Sequence, residues 1–420
     1  MGYAIVDVEV AAPLPTVALA PDQNGLALLL RRGGRPISFS LHELPPGVTL
    51  TPDEFAALLL PGSAADVVAD VVREEIAPPP APPTSRSVTI AICTHNRSSL
   101  LERCLASLWP VVAGAAGEPT VEILVVDNAP RDDSTAAAVR HHPQVRYVRE
   151  SRAGLDFARN RALREATGDV IAFLDDDVEV DRGWLAGLLE ALAEHGDAAA
   201  VTGLVLPYEL RTAAQVIFER RGGFRRGCVK LRYAGARLPG NPLYPVGAGI
   251  FGAGCNMALD RRTVLEMGGF DEALDTGAPL PGGGDLDIFY RVVRSGAPLV
   301  YEPRMLVFHK HRREYEALRR QYWTWGTGFM AFVAKTYGRD ATQRGKLRAL
   351  IGWWLFDRVR ELRRSTGGPG PLGPDLVLAE LFGGLVGLAG TYSRSQRRSA
   401  KIAARAVSVA HDHQPREATA

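Results

Sequence analysis

Hydrophobic and polar positions along the chain fall into two rhythms. Between residues 87 and 192, short apolar runs alternate with segments whose apolar residues recur every three or four positions. Residues 87–92, 121–126 and 170–174 are the runs, and the second is nearly continuous, as a parallel strand covered on both faces requires. After the first, Leu100, Leu101, Cys104, Leu105 and Leu108 share one helical face, and residues 156–166 and 184–192 read as further helices. This alternation predicts an α/β domain whose parallel or mixed sheet carries helices on both sides.

The flanks read differently. Apolar segments 26–30 and 37–41 enclose Arg31-Arg32-Gly33-Gly34-Arg35, a hairpin pattern. Thr51-Pro52-Asp53-Glu54 then supplies a capping box with proline at the first helical position, and Pro61-Gly62 is expected to end that helix. These elements make residues 1–76 a small α+β module, separated by a proline-rich, extended spacer at 77–86. The α/β domain occupies 87–311. Within it, 204–254 weakens into short strands and glycine-rich loops, and a helix over 285–294 is entered from Pro281-Gly282-Gly283-Gly284. Residues 312–392 form a helical region, and the basic, then polar segment 393–420 is expected to be disordered.

Composition narrows the class. Hydrophobic content of 46% and charged content of 23% over 420 residues are those of a globular chain. A formal net charge of +2 gives no support to a nucleic-acid partner. Cys93, Cys104, Cys228 and Cys255 are too scattered for a disulfide framework and contain no CxxC pair, which fits a reducing, cytoplasmic setting. The opening MGYAIVDVEVAAPLP does not read as a signal peptide. No uncharged apolar run reaches the roughly 20 residues of a membrane span, and the nearest, 376–390, is interrupted by Glu380.

Polar residues gather where the strands end: Thr94-His95-Asn96-Arg97, Asp127-Asn128 and Asp175-Asp176-Asp177. In an open parallel sheet those ends line the ligand crevice. Three adjacent carboxylates repel one another unless a cation or donors offset them, and alternation allows Asp175 and Asp177 to face one site with Asp176 facing another. Oxygen ligands of this kind suit Mg2+ or Mn2+ bound partly through substrate phosphates. The competing reading, an acidic turn before the helix of Trp184, has a better cap in Asp181. Asp285, at the mouth of the glycine loop, is placed to accept a proton, and Asp287 favours the helix dipole; catalytic and capping readings of Asp285 stay open. Gly247-Ala248-Gly249-Ile250-Phe251-Gly252 matches GxGxxG but lacks the strand-turn-helix context of a dinucleotide site, so it reads as a packing or substrate-loop feature.

Taken together, SVTIAICTHNRSSLLERCLASL, VEILVVDNAP, GLDFARNRALREATGDVIAFLDDDVEVDRGWL and GGGDLDIFYRVVRSG resemble four ordered motifs of the family 2 glycosyltransferases, over residues 87 to about 310. The resemblance implies a GT-A fold for the α/β domain, with a mixed, mostly parallel central sheet. It also implies an inverting, metal-dependent enzyme that moves a sugar from a nucleoside-diphosphate sugar to an acceptor hydroxyl. By that resemblance Thr94, Asn96, Arg97 and Asp127 line the nucleotide pocket, Arg159 lies near the diphosphate, and Asp175 with Asp176 completes that pocket. Asp175 and Asp177 become the DxD metal element holding Mn2+ or Mg2+, Asp285 the general base, and Gly268-Gly269-Phe270-Asp271 a support for the acceptor loop. A histidine after the apolar segment 306–308, His309 before His311, is allowed as a further metal ligand. Two departures are visible. Gly284 stands where a glutamate usually precedes the base, and Gln321-Tyr322-Trp323-Thr324-Trp325 lacks the arginine of a processive QxxRW element, which favours single transfer.

Two other readings remain: a non-catalytic sugar-nucleotide-binding scaffold, and a sugar nucleotidyltransferase. Intact Asp175, Asp177 and Asp285 oppose the first, and the absence of glycine and lysine in THNRSS opposes the second. The acceptor is expected to be a carbohydrate, a lipid-linked molecule or a small molecule, with uridine, deoxythymidine or guanosine donors. Trp353-Trp354-Leu355-Phe356 between Lys346, Arg348, Arg358 and Arg360 marks 345–364 for burial against the catalytic domain, for contact with a second copy of the chain, or for contact with the cytoplasmic face of a membrane.

Overall fold

The structure, a computed structural model, describes residues 2–114, 119–275, 277, 280–367 and 372–412, with backbone alone for 366–367 and 406–412. The N-terminal module is a three-stranded sheet in the order β1 (Gly2–Glu9), β3 (Gln23–Arg32), β4 (Arg35–Glu43), beside a short pair of β2 (Val17–Ala18) and β5 (Thr49–Leu50). The expected hairpin is the antiparallel pair of β3 and β4. It closes at Gly33 (φ 58°) and Gly34 (φ 76°), the left-handed conformations that a tight turn between twisted strands demands. The parallel partner β1 was not visible in the sequence pattern.

Helix α1 (Pro52–Glu75) starts at the Thr51–Glu54 capping box but continues through Pro61, where the sequence reading ended it. Proline removes one helical hydrogen bond and crowds the preceding turn. Contacts on both sides of it outweigh that cost. Phe55, Leu59 and Ser63 are buried, and farther along Asp70 and Glu74 pair with Arg32 and Arg35 at the hairpin turn. No helix or strand covers 77–87.

The α/β domain is built on nine strands: β6 (Val88–Thr94), β7 (Val121–Asn128), β8 (Val145–Glu150), β9 (Val170–Asp175), β10 (Val178–Val180), β11 (Ala200–Pro207), β12 (Leu231–Tyr233), β13 (Asn256–Asp260) and β14 (Leu299–His309). They lie in the order β10-β14-β11-β13-β9-β6-β7-β8, with β12 also on β14. β10, β12 and β13 run against the other six, so the sheet is mixed and largely parallel. Helices α2 (Ser98–Ala113), α3 (Ser134–Arg140), α4 (Leu155–Glu165), α5 (Trp184–Glu194), α6 (Ala213–Arg220), α7 (Arg261–Glu266) and α8 (Gly284–Arg294) flank it. Strand alternation sends Ile90 and Ile92 to a core shared with Leu101, Leu105 and Leu188, and Ala91 to the opposite core with Ala158, Ala162 and Phe173. Between 204 and 254 the pattern hid a helix. α6 opens at its own capping box, Thr212 and Gln215.

The N-terminal module is fastened to this domain by buried polar contacts. Arg31 donates to Asp181 at 2.7 Å, and Tyr3 donates its N–H to the Leu210 carbonyl at 2.6 Å. Asp181 also accepts from Gly183 N, so it closes the turn before α5 and anchors the module at once.

The C-terminal region comprises α9 (Tyr315–Arg339), α10 (Arg344–Gly367), α11 (Pro374–Val386) and α12 (Tyr392–Asp412). α11 lies against α9 through glycine: a Cβ at Gly383 would fall 2.2 Å from the Trp323 carbonyl oxygen. Disorder expected from 393 onward gives way to helix as far as Asp412, and 413–420 lie outside the described residues. The sequence pattern there is amphipathic, with Ile402 and Ala403 half-buried, which polar composition alone concealed. By length and mean hydropathy, α1 and the stretch Pro374–Arg405 each contain a window apolar enough to cross a membrane, because a few interspersed acids and arginines do not cancel their leucines and valines.

Candidate active site

The three acids at the end of β9 do not share one environment. Asp175 ends the strand, Asp176 and Asp177 turn, and β10 begins at Val178. β10 pairs with the last residues of β14, setting Val178 opposite His309, and Lys310 N donates to the Asp177 carbonyl at 3.0 Å. This register carries His309 to the acids. One ligand atom each from Asp175, Asp177 and His309 falls within 4.8 Å of the others, and His309 Nε2 is 3.3 Å from Asp177 Oδ1. Asp176 points elsewhere, accepting from Thr94 Oγ1 at 2.7 Å and from Arg97 at 3.1 Å.

The electrostatics differ accordingly. Burial, with the charge of Asp177, lifts Asp175 to about 6. Burial also acts to raise Asp177, but His309 and the arginines overcome it and hold the carboxylate well below its ordinary range. Two carboxylates and an imidazole are a donor set for a divalent cation that keeps positions for phosphate oxygens.

The acids open onto a cavity of about 690 Å3, a size suited to a nucleotide-sized ligand. Asp175, His309 and Asp285 line it, with Arg97, Arg159, Arg226 and Arg312 supplying positive charge. Asp285 sits in the first turn of α8, after Gly283 in a left-handed conformation (φ 109°). Its Oδ2 accepts from Gly254 N at 3.1 Å. A Cβ at Gly254 would come within 2.9 Å of the Asp285 Cβ and 3.0 Å of the Arg159 guanidinium, so glycine there lets both reach the cavity.

Residues 89–232 match the family model described as Glycosyl transferase family 2. The likeness to family 2 glycosyltransferases covers about a third of the chain. Pre-mycofactocin glycosyltransferase of Mycobacterium tuberculosis is 29% identical over 245 residues, which cover 56% of this chain and 45% of that protein. The chain therefore spans about half the length of this relative. Succinoglycan biosynthesis protein ExoM of Rhizobium meliloti is 29% identical over 268 residues, covering 62% of this chain and 75% of that protein. Among solved structures, the mannosyltransferase PcManGT from Pyrobaculum calidifontis, in complex with GDP-Man and Mn2+, aligns with 21% identity and a TM-score of 0.46 over 86% of this chain and 98% of its own. The largely parallel sheet flanked by helices, the small N-terminal sheet and the helical C-terminal region match the layered α/β organisation expected from the sequence.

His309 is backed by His311 and, behind it, by Glu219, which the sequence reading did not find. His311 Nε2 lies 2.8 Å from Glu219 Oε1, and His309 Nδ1 lies 3.2 Å from His311 Nδ1, all buried. Burial, more than Glu219 can offset, pushes His311 down and keeps it neutral. With its Nε2–H donated to Glu219, His311 offers the Nδ1 lone pair to the Nδ1–H of His309. His309 Nε2 then faces Asp177 at 3.3 Å, its ring oriented from behind as outer partners orient a ligating imidazole. Glu219 comes from α6, so the Thr212-x-x-Gln215 capping signal was the one available pointer to it.

Arg159 stands beside Asp175 and Asp285 but is pinned from behind by Asp156 (3.1 Å) and Asp275 (3.4 Å). Burial raises both acids, Asp275 to about 6 despite Arg159. Asp275 also accepts from Gly284 N at 3.1 Å, tying the first turn of α8 to the arginine. Neither acid was anticipated. Asp271 instead pairs with Lys335 and Tyr392 at 2.7 Å each, a buttress away from the cavity.

Thr94, Asn96 and Asp127 do not line the large cavity. Thr94 and Asp127 are register partners at the ends of β6 and β7. Thr94 holds Asp176, and Asp127 is buried, raised by that burial, and accepts from Tyr147 Oη at 2.8 Å. Asn96 adopts a left-handed conformation (φ 53°) and its Oδ1 accepts from Arg131 N at 2.9 Å. Of these residues, Thr94 is the one joined to the acids, through its bond to Asp176. The GxGxxG string forms a short 3-10 turn, Ala248–Phe251, with Gly249 and Gly252 on the cavity wall.

Proposed function

We propose that the protein is an inverting glycosyltransferase that moves a sugar from a nucleoside-diphosphate sugar to an acceptor hydroxyl. The observation that carries this reading is the convergence of Asp175, His309 and Asp285 on one arginine-lined cavity. Asp175, Asp177 and His309 are the residues to hold Mn2+ or Mg2+. Bound there, the cation supplies Lewis-acid stabilisation of the diphosphate leaving group. Arg97, Arg159 and Arg312 orient the same diphosphate and share its charge.

Asp285 is the base. Its carboxylate takes the proton of the acceptor hydroxyl as that oxygen bonds to the anomeric carbon. The bond from that carbon to the diphosphate oxygen breaks with its electron pair, and the nucleoside diphosphate leaves from the opposite face. One displacement inverts the anomeric configuration. Asp176, held by Thr94 and Arg97, sits beside the donor site with Asn96 and Asp127 on the nucleotide side.

The test is turnover of a panel of uridine, deoxythymidine and guanosine diphosphate sugars with Mn2+ and candidate acceptors. Asp285→Asn is expected to lower kcat by about 10^2–10^4-fold with nucleotide binding retained. Undiminished transfer by that variant would remove Asp285 from the mechanism. A scaffold role predicts nucleotide binding without turnover in the wild type.

A further inference from the structure

α10 and α11 pack together where Trp354 covers Gly384 and Arg358 pairs with Glu380. The faces turned away from this contact are apolar. On α10, Trp353, Phe356 and Val359 follow one another along a single stripe and are 54%, 68% and 41% exposed. On α11, Phe382, Leu385 and Val386 do the same at 52%, 47% and 36%. Bulky apolar side chains on two adjoining helices exceed the single exposed residues that any soluble surface carries.

The rim of this face is cationic. Arg348, Arg360 and Arg364 are exposed on α10, whose acids Asp357 and Glu361 are half-buried and buried. The chain then leads into α12, where Arg394, Arg397, Arg398 and Lys401 are exposed and no acid occurs between 392 and 405. Trp353 belongs both to this face and to the wall of the active-site cavity.

We propose that the outer face of α10 and α11 is a docking surface for an anionic lipid bilayer. Apolar side chains enter the headgroup boundary while the surrounding arginines meet lipid phosphates. The geometry is that of lying on the bilayer. The inner face of α11, with Leu376, Val377 and Gly383, is buried in the protein, and the chain bends out of helical geometry at Ala389 and Gly390. A second copy of the same face would bring two cationic rims together, which an anionic membrane avoids. Docked this way, the cavity mouth at Trp353 meets the headgroup layer, so the inference rests on the transferase reading for its purpose but not for its test.

The experiment is co-sedimentation of the full chain with vesicles of phosphatidylcholine, with and without phosphatidylglycerol. Binding is expected with phosphatidylglycerol, weakening as salt rises. The triple variant Phe356→Ser, Phe382→Ser, Leu385→Ser should weaken it at least tenfold while nucleotide binding persists. Brominated lipid should quench wild-type tryptophan emission, a readout that needs no variant. A folded, nucleotide-binding protein that ignores phosphatidylglycerol vesicles overturns the proposal. So does a dimer that the triple variant dissociates without any vesicle binding. Failure of nucleotide binding with vesicle binding intact would instead strike the transferase reading alone.

Discussion

Two pairs of aspartates in this chain share the spacing i, i+2 and end in opposite circumstances. At the end of β9, Asp175 and Asp177 converge with His309 into one ligand set. At the start of α8, Asp285 faces the cavity while Asp287 turns into the protein, 2.6 Å from Lys335 and 2.8 Å from Arg291. The cause is local geometry. Two residues along a helix rotate a side chain by about 200°, whereas the turn from β9 into β10 brings Asp175 and Asp177 together. One pair therefore concentrates charge for a ligand. The other divides it between the cavity and the fold.

Substitutions at each position separate these roles. Asp285→Asn should show the largest effect, the fall in kcat given above, with thermal stability near that of the wild type. Asp287→Asn should do the reverse: removing one partner of a buried ion pair costs about 3 kcal/mol of stability, read by denaturant unfolding, while the residual folded protein still turns over. Equal loss of activity by both variants at matched folded fractions would erase the division.

At the end of β9, Asp177→Ala should weaken Mn2+ binding by at least a hundredfold. Asp176→Ala, which leaves the convergent pair intact, should change it far less. If both variants lose the metal equally, all three acids form one site. A smaller effect belongs to Glu219→Gln. It removes the charge behind His311 and should weaken Mn2+ affinity by about 10–100-fold, measured calorimetrically, with Asp175 and Asp177 untouched. An unchanged affinity would reduce the Glu219–His311–His309 chain to packing.

Local pattern carried much of this molecule. The runs at 121–126 and 170–174 became β7 and β9, the helix expected at 285–294 became α8, and the capping box at Thr51 became the start of α1. What escaped was non-local. His309 reaches the acids only because β10 pairs with the end of β14, in a register such as Val178 opposite His309 that no window on the sequence displays. Glu219 arrives on a helix hidden in a glycine-rich stretch. Asp156 and Asp275 matter through Arg159, and their roles exist only once α4 and the loop before α8 are folded together. Pro61 misled for the opposite reason: a strong local signal was overruled by ion pairs and packing along the whole of α1.

The most direct test of the account is calorimetric titration with UDP, dTDP and GDP, each with and without Mn2+, for the wild type and for Asp177→Ala. The account predicts that one nucleotide binds in a Mn2+-dependent manner and that Asp177→Ala abolishes that dependence. Binding indifferent to Mn2+, or unchanged by Asp177→Ala, would contradict a metal-assisted donor site at the end of β9.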